Sequence, residues 1–97
     1  MNLAATVRAL EMAYSGVFEH TRPNGTKWST AILECGAPHG HLGENIAKGY
    51  VTAESVSNGW KNSPSHYENL IRPGFKKIGI GYFELNGSTY WAQEFNS

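Results

Sequence analysis

Three side chains in this sequence are of types suited to metal or acid–base chemistry: His20, Glu44 and His66. His20 precedes a turn containing proline and glycine, which would hold its imidazole at the mouth of a cleft. His66 falls in the first turn of a predicted helix, where the helix dipole favours the neutral imidazole that a divalent metal binds. Glu44 could serve as an oxygen ligand or as the base for a bound water. Their separations are not those of a local zinc motif, and taken alone each residue is better explained as a structural one, so the spacing is a weak signal.

Other candidate groups have simpler interpretations. His39 and His41 lie in a glycine-rich connection, where they could bind a metal adventitiously or be solvated loop residues. Ser63 and Ser65 lie close enough to a histidine to suggest a serine–histidine pair, but no nucleophile motif surrounds either serine. The Ser63 hydroxyl is expected instead to cap the helix that follows it.

Composition excludes several classes of protein. The 97 residues suit one small domain, and eight basic residues balance eight acidic ones without a basic patch, which argues against a nucleic-acid partner. No apolar run approaches the roughly 18 residues of a membrane span.

The single cysteine, Cys35, excludes an internal disulfide, so the fold depends on packing. Because no signal-peptide pattern is present, the residues alone indicate a cytoplasmic chain or a mature or excised piece of a longer one.

The first segment has the apolar spacing of an amphipathic helix over residues 2–15, which Gly16 would end. The predicted buried face carries Leu3, Val7, Leu10 and Tyr14.

Three further helices and a short extended segment are expected around the candidate residues. A short helix is predicted over residues 30–35 and an extended segment over residues 44–47. Thr52 is expected to cap a helix that buries Val56 and Trp60, and the next helix is predicted over residues 64–71.

In the last third of the chain, large apolar residues recur at every second position, which is typical of strands. Residues 78–82 alternate, Asn86-Gly87 is a strong signal for a tight turn, and residues 89–95 return as a second strand. Gly79 and Gly81 predict a close packing partner over one face of this hairpin. Helices followed by a hairpin indicate the α+β class.

Three motifs occur in an order that resembles a known family: MAYSGVFEHTRPNG, GENIAKGY and GWKNSPSHYENLIRPGFKKIGIGYFELNGSTYWAQEF. They resemble the bacterial branch of the CAP superfamily, the SCP-like domains related to cysteine-rich secretory proteins, antigen 5 and pathogenesis-related 1 proteins. The resemblance runs from about residue 3 to residue 96. It implies a single domain over residues 1–97, built as a three-layer α-β-α sandwich around a small antiparallel sheet. Family domains begin with another helix, so the resemblance also implies N-terminal truncation.

The resemblance places His20, Glu44 and His66 at the motif positions of a central cleft that can hold zinc or another divalent cation. Four neighbouring residues are expected to line this cleft or contact a ligand. They are Asn45, Ser63, Ser65 and Tyr67. Eukaryotic relatives carry a second cleft glutamate where this chain has Ser63, so the full acid pair is missing.

Three functions remain open at this point. The first is a secreted or surface-associated binding module whose cleft holds a divalent metal and a small amphipathic, peptide or cell-envelope ligand. The second is a metal-dependent, peptidase-like hydrolase with zinc on the histidines and Glu44 as base. The third is a metal-free structural or interaction domain. The extracellular location rests on the resemblance, and apolar surface at the N-terminal end predicts self-association.

Overall fold

The computed structural model describes residues 2–34, 42–72, 74–75 and 77–96. Helices cover both faces of a three-stranded sheet, which confirms the predicted three-layer α+β fold. In chain order the described elements are α1 (Asn2–Ser15), α2 (Ser29–Glu34), β1 (Leu42–Lys48), α3 (Ala53–Lys61), α4 (Pro64–Ile71), β2 (Lys77–Leu85) and β3 (Ser88–Asn96).

The sheet has the order β1-β3-β2, and both pairings are antiparallel. Asn86 and Gly87 take φ angles of 53° and 80°, as a two-residue hairpin turn between β2 and β3 requires, so the predicted hairpin is confirmed. Glu44 of β1 stands directly opposite Glu94 of β3. Because β3 is central and covered on both faces, its charged residue has no route to solvent.

Helix α1 packs against the face of the sheet that carries Gly79 and Gly81. A Cβ atom at Gly81 would clash with the backbone of Ala5, so the glycine permits a close approach between helix and strand. This confirms the packing partner that the strand glycines predicted.

The predicted buried face of α1 is wrong. Leu3, Leu10 and Tyr14 are 64%, 40% and 66% exposed. The buried residues are Ala4, Ala5, Arg8, Ala9, Met12 and Ala13. The close approach of Gly81 to the backbone of Ala5 explains part of the difference, because only small side chains fit at this point of the contact between α1 and β2.

Helices α3 and α4 form the opposite layer. Val56 and Trp60 of α3 pack against Ala47 and Trp91 of the sheet, and the Trp60 indole donates to the carbonyl of Ile46 at 3.1 Å. The burial of Val56 and Trp60 was predicted from their spacing.

The two predicted caps have different outcomes. Thr52 caps α3 and forms a reciprocal capping box with Ser55, as expected. Helix α4 spans the predicted residues, but the hydroxyl of Ser63 makes no capping hydrogen bond. It contacts the ring of His66 instead, and Pro64 at the first helical position removes one of the amides that would otherwise need a cap.

Among the described residues, no helix is both long and apolar enough to cross a membrane. The predictions for Cys35, His39 and His41 fall outside the described ranges.

Candidate functional site

The site is built around the carboxylate of Glu44, which is 5% exposed and lies on the α1 face of the edge strand β1. Arg8 donates to it twice, from Nε to Oε2 at 2.7 Å and from Nη2 to Oε1 at 3.2 Å. Nδ1 of His20 lies 2.8 Å from Oε1. One buried carboxylate therefore links helix α1, strand β1 and the loop that carries the first histidine.

Arg8 also fixes the backbone of that loop. Its Nη2 donates to the carbonyl oxygens of Glu19 at 2.6 Å and of His20 at 3.3 Å. A guanidinium has five donors and no acceptor, so one buried arginine can orient both a carboxylate and two carbonyls. The position of the His20 ring thus depends on Arg8 through side chain and backbone together.

A second arginine stabilises the turn that follows His20. Arg22 is buried and binds both oxygens of Glu11, at 2.6 Å from Nη2 and 3.0 Å from Nε. Its Nη1 donates to the hydroxyl of Thr30 at 2.7 Å and to the carboxylate of Glu34 at 3.0 Å. These contacts tie the turn to α1 and α2, which gives the rigid support that the proline and glycine predicted.

Glu94 is the most unusual residue of the site because its side chain is fully buried. No side-chain or backbone group among the described residues donates a hydrogen bond to either of its carboxyl oxygens. Burial, together with the neighbouring charge and hydrogen bond of Glu44, raises the pKa of Glu94 to about 12. Two facing carboxyl groups can hydrogen-bond only when one of them holds a proton. Glu94 is therefore the neutral acid of the pair.

Glu44 is the ionised partner. Burial would raise its pKa, but hydrogen bonds from His20, Glu94 and Arg8 and the charge of Arg8 outweigh burial and hold the pKa below its usual value. Burial likewise opposes the charge of Arg8, yet its contacts with Glu44 keep the pKa of Arg8 raised. The pair is an ionised carboxylate beside a protonated carboxylic acid.

This assignment sets the tautomer of His20. An ionised carboxylate can only accept hydrogen bonds, so Nδ1 of His20 carries the proton and donates to Glu44. The side chain is 53% exposed, and in the neutral ring the lone pair of Nε2 remains free. A carboxylate that orients a histidine in this way is the usual arrangement behind a metal-binding imidazole.

His66 in the first turn of α4 has a similar arrangement. Its Nδ1 lies 2.9 Å from the hydroxyl of Ser63, which leaves Nε2 without a described partner. Burial and then the charge of His20 lower the pKa of His66, so the neutral form of its ring is favoured. Both histidines are thus held through Nδ1, and Nε2 of neither ring has a partner among the described residues.

An open cleft of about 310 Å³ lies beside His66. Its lining combines aromatic residues, Ser63, His66 and one cation, and contains no acid. The lining residues are Phe18, Ile46, Ala47, Lys48, Tyr50, Gly59, Trp60, Ser63 and His66.

The four predicted ligand-contacting residues lie in different environments. Asn45 is fully buried, donates to the carbonyl of His66 and to Gln93, and accepts from Asn69. Its observed contacts are structural and anchor α4 to the sheet. Ser63 lines the cleft, whereas Ser65 and Tyr67 are exposed on α4 and do not line it.

No group of three or more His, Cys, Asp or Glu side chains is arranged as a metal site within the described ranges. The residues that fit a cation are the two histidines, because each ring is anchored at Nδ1 and neither Nε2 is engaged by another described residue. The role of Glu44 as a direct ligand stays a prediction, since both of its oxygens already bind Arg8 or His20.

Sequence reasoning missed Arg8 and Glu94. Both are charged residues that pattern analysis assigns to the surface. A signal for Glu94 does exist: Tyr90, Ala92 and Glu94 share one face of a strand whose other face carries Trp91, so the strand has apolar residues on both sides. A charged residue in such a strand is expected to be buried and to need a partner.

Comparison with known proteins matches nearly the whole chain to a single protein family. The family model described as cysteine-rich secretory protein family, CAP, matches residues 1–95. The protein YkwD of Bacillus subtilis is 33% identical over 95 residues, which cover 98% of this chain and 36% of YkwD. The chain thus spans about a third of that relative.

Two solved structures share the fold. An extracellular protein containing an SCP domain from Bacillus anthracis aligns with a TM-score of 0.87 at 24% identity, over 95% of this chain and 30% of that one. An outer surface protein of Borrelia burgdorferi aligns with a TM-score of 0.83 at 27% identity, over 95% of this chain and 68% of that one.

Proposed function

The chain belongs to the cysteine-rich secretory protein (CAP) family, and from that premise we propose that it is an extracellular or surface-associated binding module whose cleft holds a divalent metal. The observation that carries the proposal is that the rings of His20 and His66 are each anchored through Nδ1, His20 by Glu44 and His66 by Ser63. The similar proteins of Bacillus anthracis and Borrelia burgdorferi are described as an extracellular and an outer surface protein, which supports the location.

Zinc suits this donor set because neutral imidazole nitrogens are among its preferred ligands. The Nε2 atoms of His20 and His66 would hold the ion, and Glu44 would act behind the first ring as its orienting partner. A zinc ion with two protein ligands would supply a Lewis acid with positions left for a ligand's own donor atoms. A small amphipathic or envelope-derived molecule could then place a polar group on the ion and its apolar part against Phe18, Tyr50 and Trp60.

The hydrolase alternative has less support from the same contacts. A general base must be within reach of the proton that it removes. Both oxygens of Glu44 are engaged by Arg8 and His20, and Glu94 holds a proton. Neither carboxyl group is therefore available as a base, and binding without turnover is the function that the geometry favours.

Calorimetric titration of zinc into metal-free protein tests the proposal. We expect stoichiometric binding that is lost when His20 and His66 are both replaced by alanine. The matched control is the His39→Ala, His41→Ala double variant, which should bind as the unaltered protein does. Binding that persists without His20 and His66, or that disappears in the control, would contradict the proposed site.

The orienting role of Glu44 is tested in the same titration. Loss of such a partner typically weakens metal affinity by about 10–100-fold. We therefore expect Glu44→Gln to weaken zinc binding in that range, and Glu54→Gln, at an exposed acid of α3, to leave the affinity unchanged. Equal affinities of the two variants would count against the role of Glu44.

A further inference from the structure

The cleft beside His66 lies along the outer edge of strand β1. Within the part of the chain that the structure describes, β1 pairs only with β3, so its other side is an edge of the sheet. Successive side chains of a strand point to opposite faces. A cleft that contacts Ile46, Ala47 and Lys48, together with residues before and after them from both helix layers, therefore reaches β1 from its edge.

The hydrogen bonds of β1 show which of its backbone groups point to that edge. In an antiparallel pair, alternate residues bond to the partner strand, and the residues between them point their N–H and C=O groups away from it. The N–H of Gly49 donates to the carbonyl of Thr89 at 2.9 Å, so the odd-numbered residues of β1 face β3. The backbone groups of Glu44, Ile46 and Lys48 consequently face outward.

Two of the outward carbonyls already have donors. The carbonyl of Glu44 accepts from the side-chain amide of Asn69 at 3.2 Å, and that of Ile46 accepts from the indole of Trp60 at 3.1 Å. Both bonds agree with the outward direction derived from the ladder. Along the cleft, the groups without a partner among the described residues are the N–H of Ile46 and both the N–H and C=O of Lys48.

These open groups are complementary to a second extended backbone. Ile46 is only 7% exposed, and a backbone N–H in such a position is nearly always paired in native proteins. Its N–H and the two groups of Lys48 lie two residues apart on one strand edge, which is the spacing at which an added strand presents its own carbonyl and N–H groups. A partner for them has to enter through the cleft.

We propose that the cleft binds a short peptide segment in extended conformation, which adds to the edge of β1 at Ile46 and Lys48. This ligand class rests on the proposed function of the cleft as a binding site but does not require its metal. The segment is short because the bonds from Trp60 and Asn69 close the edge toward Glu44, and because the cleft measures only about 310 Å³.

The walls of the cleft set which side chains the peptide carries. Phe18 follows α1 and is 42% exposed, whereas the ring of Tyr50 packs against Gly59 of α3 in the opposite layer. Successive side chains of the bound segment point to opposite faces of the sheet, and so toward these two rings in turn. Apolar or aromatic side chains are therefore preferred.

Nuclear magnetic resonance of the metal-free protein tests the peptide. The probe is an equimolar mixture of tripeptides that are varied at every position and blocked at both ends, so that no terminal charge contributes. We expect it to move the backbone amide proton signals of Ile46 and Lys48 downfield, and to change those of Asn45 and Ala47 less because they bond to β3. The same mixture with methylated backbone nitrogens should lose this effect, since its donors are removed.

A pair of variants at one position tests the backbone contact. Lys48→Pro removes an outward N–H and no bond to β3, which an edge strand tolerates. Lys48→Ala loses the same side chain but keeps the N–H. We expect the mixture to bind Lys48→Pro about tenfold or more weakly than Lys48→Ala, because a peptide carbonyl is left without its donor. The amide spectra establish that both variants are folded.

Three results would each overturn the peptide proposal: no amide shift at Ile46 and Lys48, equal shifts with the methylated mixture, or equal binding by the two variants. Zinc titration of the same protein separates this proposal from that of the metal cleft. Zinc binding without the peptide shifts contradicts the peptide alone, and peptide shifts without zinc binding support the peptide and contradict the metal site.

Discussion

Replacement of Arg8 by methionine should destabilise the domain by about 3–5 kcal/mol, the usual result of removing one partner from a buried ion pair. The substitution keeps an unbranched side chain but removes all five donors. Glu44 would lose its charge partner while Glu94 still faces it, and the carbonyls of Glu19 and His20 would lose a donor. Since a domain of this kind has a total stability of about 5–15 kcal/mol, a partly unfolded population is expected.

Urea denaturation measures this effect. The control is Lys27→Met, which replaces an exposed cation. It should change the free energy of unfolding by less than about 0.5 kcal/mol. The double variant Arg8→Met, Glu44→Gln should be less destabilised than the sum of its single changes, because no unpaired charge remains. A loss in Arg8→Met as small as that of the control would show that the ion pair does not organise the site.

Replacement of Glu94 by glutamine should stabilise the domain at neutral pH. The folded protein keeps the Glu94 proton because its pKa is raised to about 12, whereas the unfolded chain releases it above the ordinary value of 4.5. The unfolded state therefore binds fewer protons than the folded state, and stability falls as pH rises from about 4.5. Each pH unit costs about 1.4 kcal/mol, which amounts to about 3 kcal/mol by pH 7. Glutamine is neutral at every pH and still offers Glu44 a donor.

The measurement is urea denaturation of both proteins at pH 4.5 and pH 7. We expect Glu94→Gln to be more stable by about 1–3 kcal/mol at pH 7 and close to the unaltered protein at pH 4.5. Glu68→Gln, at an exposed acid of α4, is the control and should show no such pH-dependent gain. If Glu94→Gln and the unaltered protein differ in free energy of unfolding by the same amount at both pH values, Glu94 does not hold a proton beside ionised Glu44.

Glu44 has the opposite pH dependence. Its pKa is lowered in the folded state, so its contribution to stability is present above its ordinary pKa and is lost as pH falls. Glu44 therefore lowers the stability of the fold as pH falls, and Glu94 lowers it as pH rises. Replacing Glu94 removes only the loss at higher pH.

Much of the fold follows from local signals in the sequence. Asn86-Gly87 specifies the hairpin because both positions need positive φ, and Thr52 and Pro64 specify the starts of α3 and α4. The buried face of α1 could not be predicted from its own residues. The glycines of β2, which lie about 75 residues away in the chain, let the helix approach closely at Ala5, and this contact depends on the tertiary fold rather than on the spacing within α1.

The candidate site was only partly predictable. The resemblance gave the positions of His20, Glu44 and His66, but the hydrogen bonds that orient them come from residues with no motif of their own. Arg8 reaches Glu44 across 36 residues, and Glu94 faces Glu44 only because β1 and β3 pair in this register. Such partners depend on tertiary pairing rather than on sequence spacing.

The most direct test of the proposed metal cleft is the nitrogen NMR spectrum of the histidine rings, recorded before and during zinc addition. We expect His20 to carry its proton on Nδ1 in the metal-free protein, and zinc to shift the Nε2 signals of His20 and His66 together. A proton on Nε2 of His20, or zinc shifts confined to His39 and His41, would contradict the proposal.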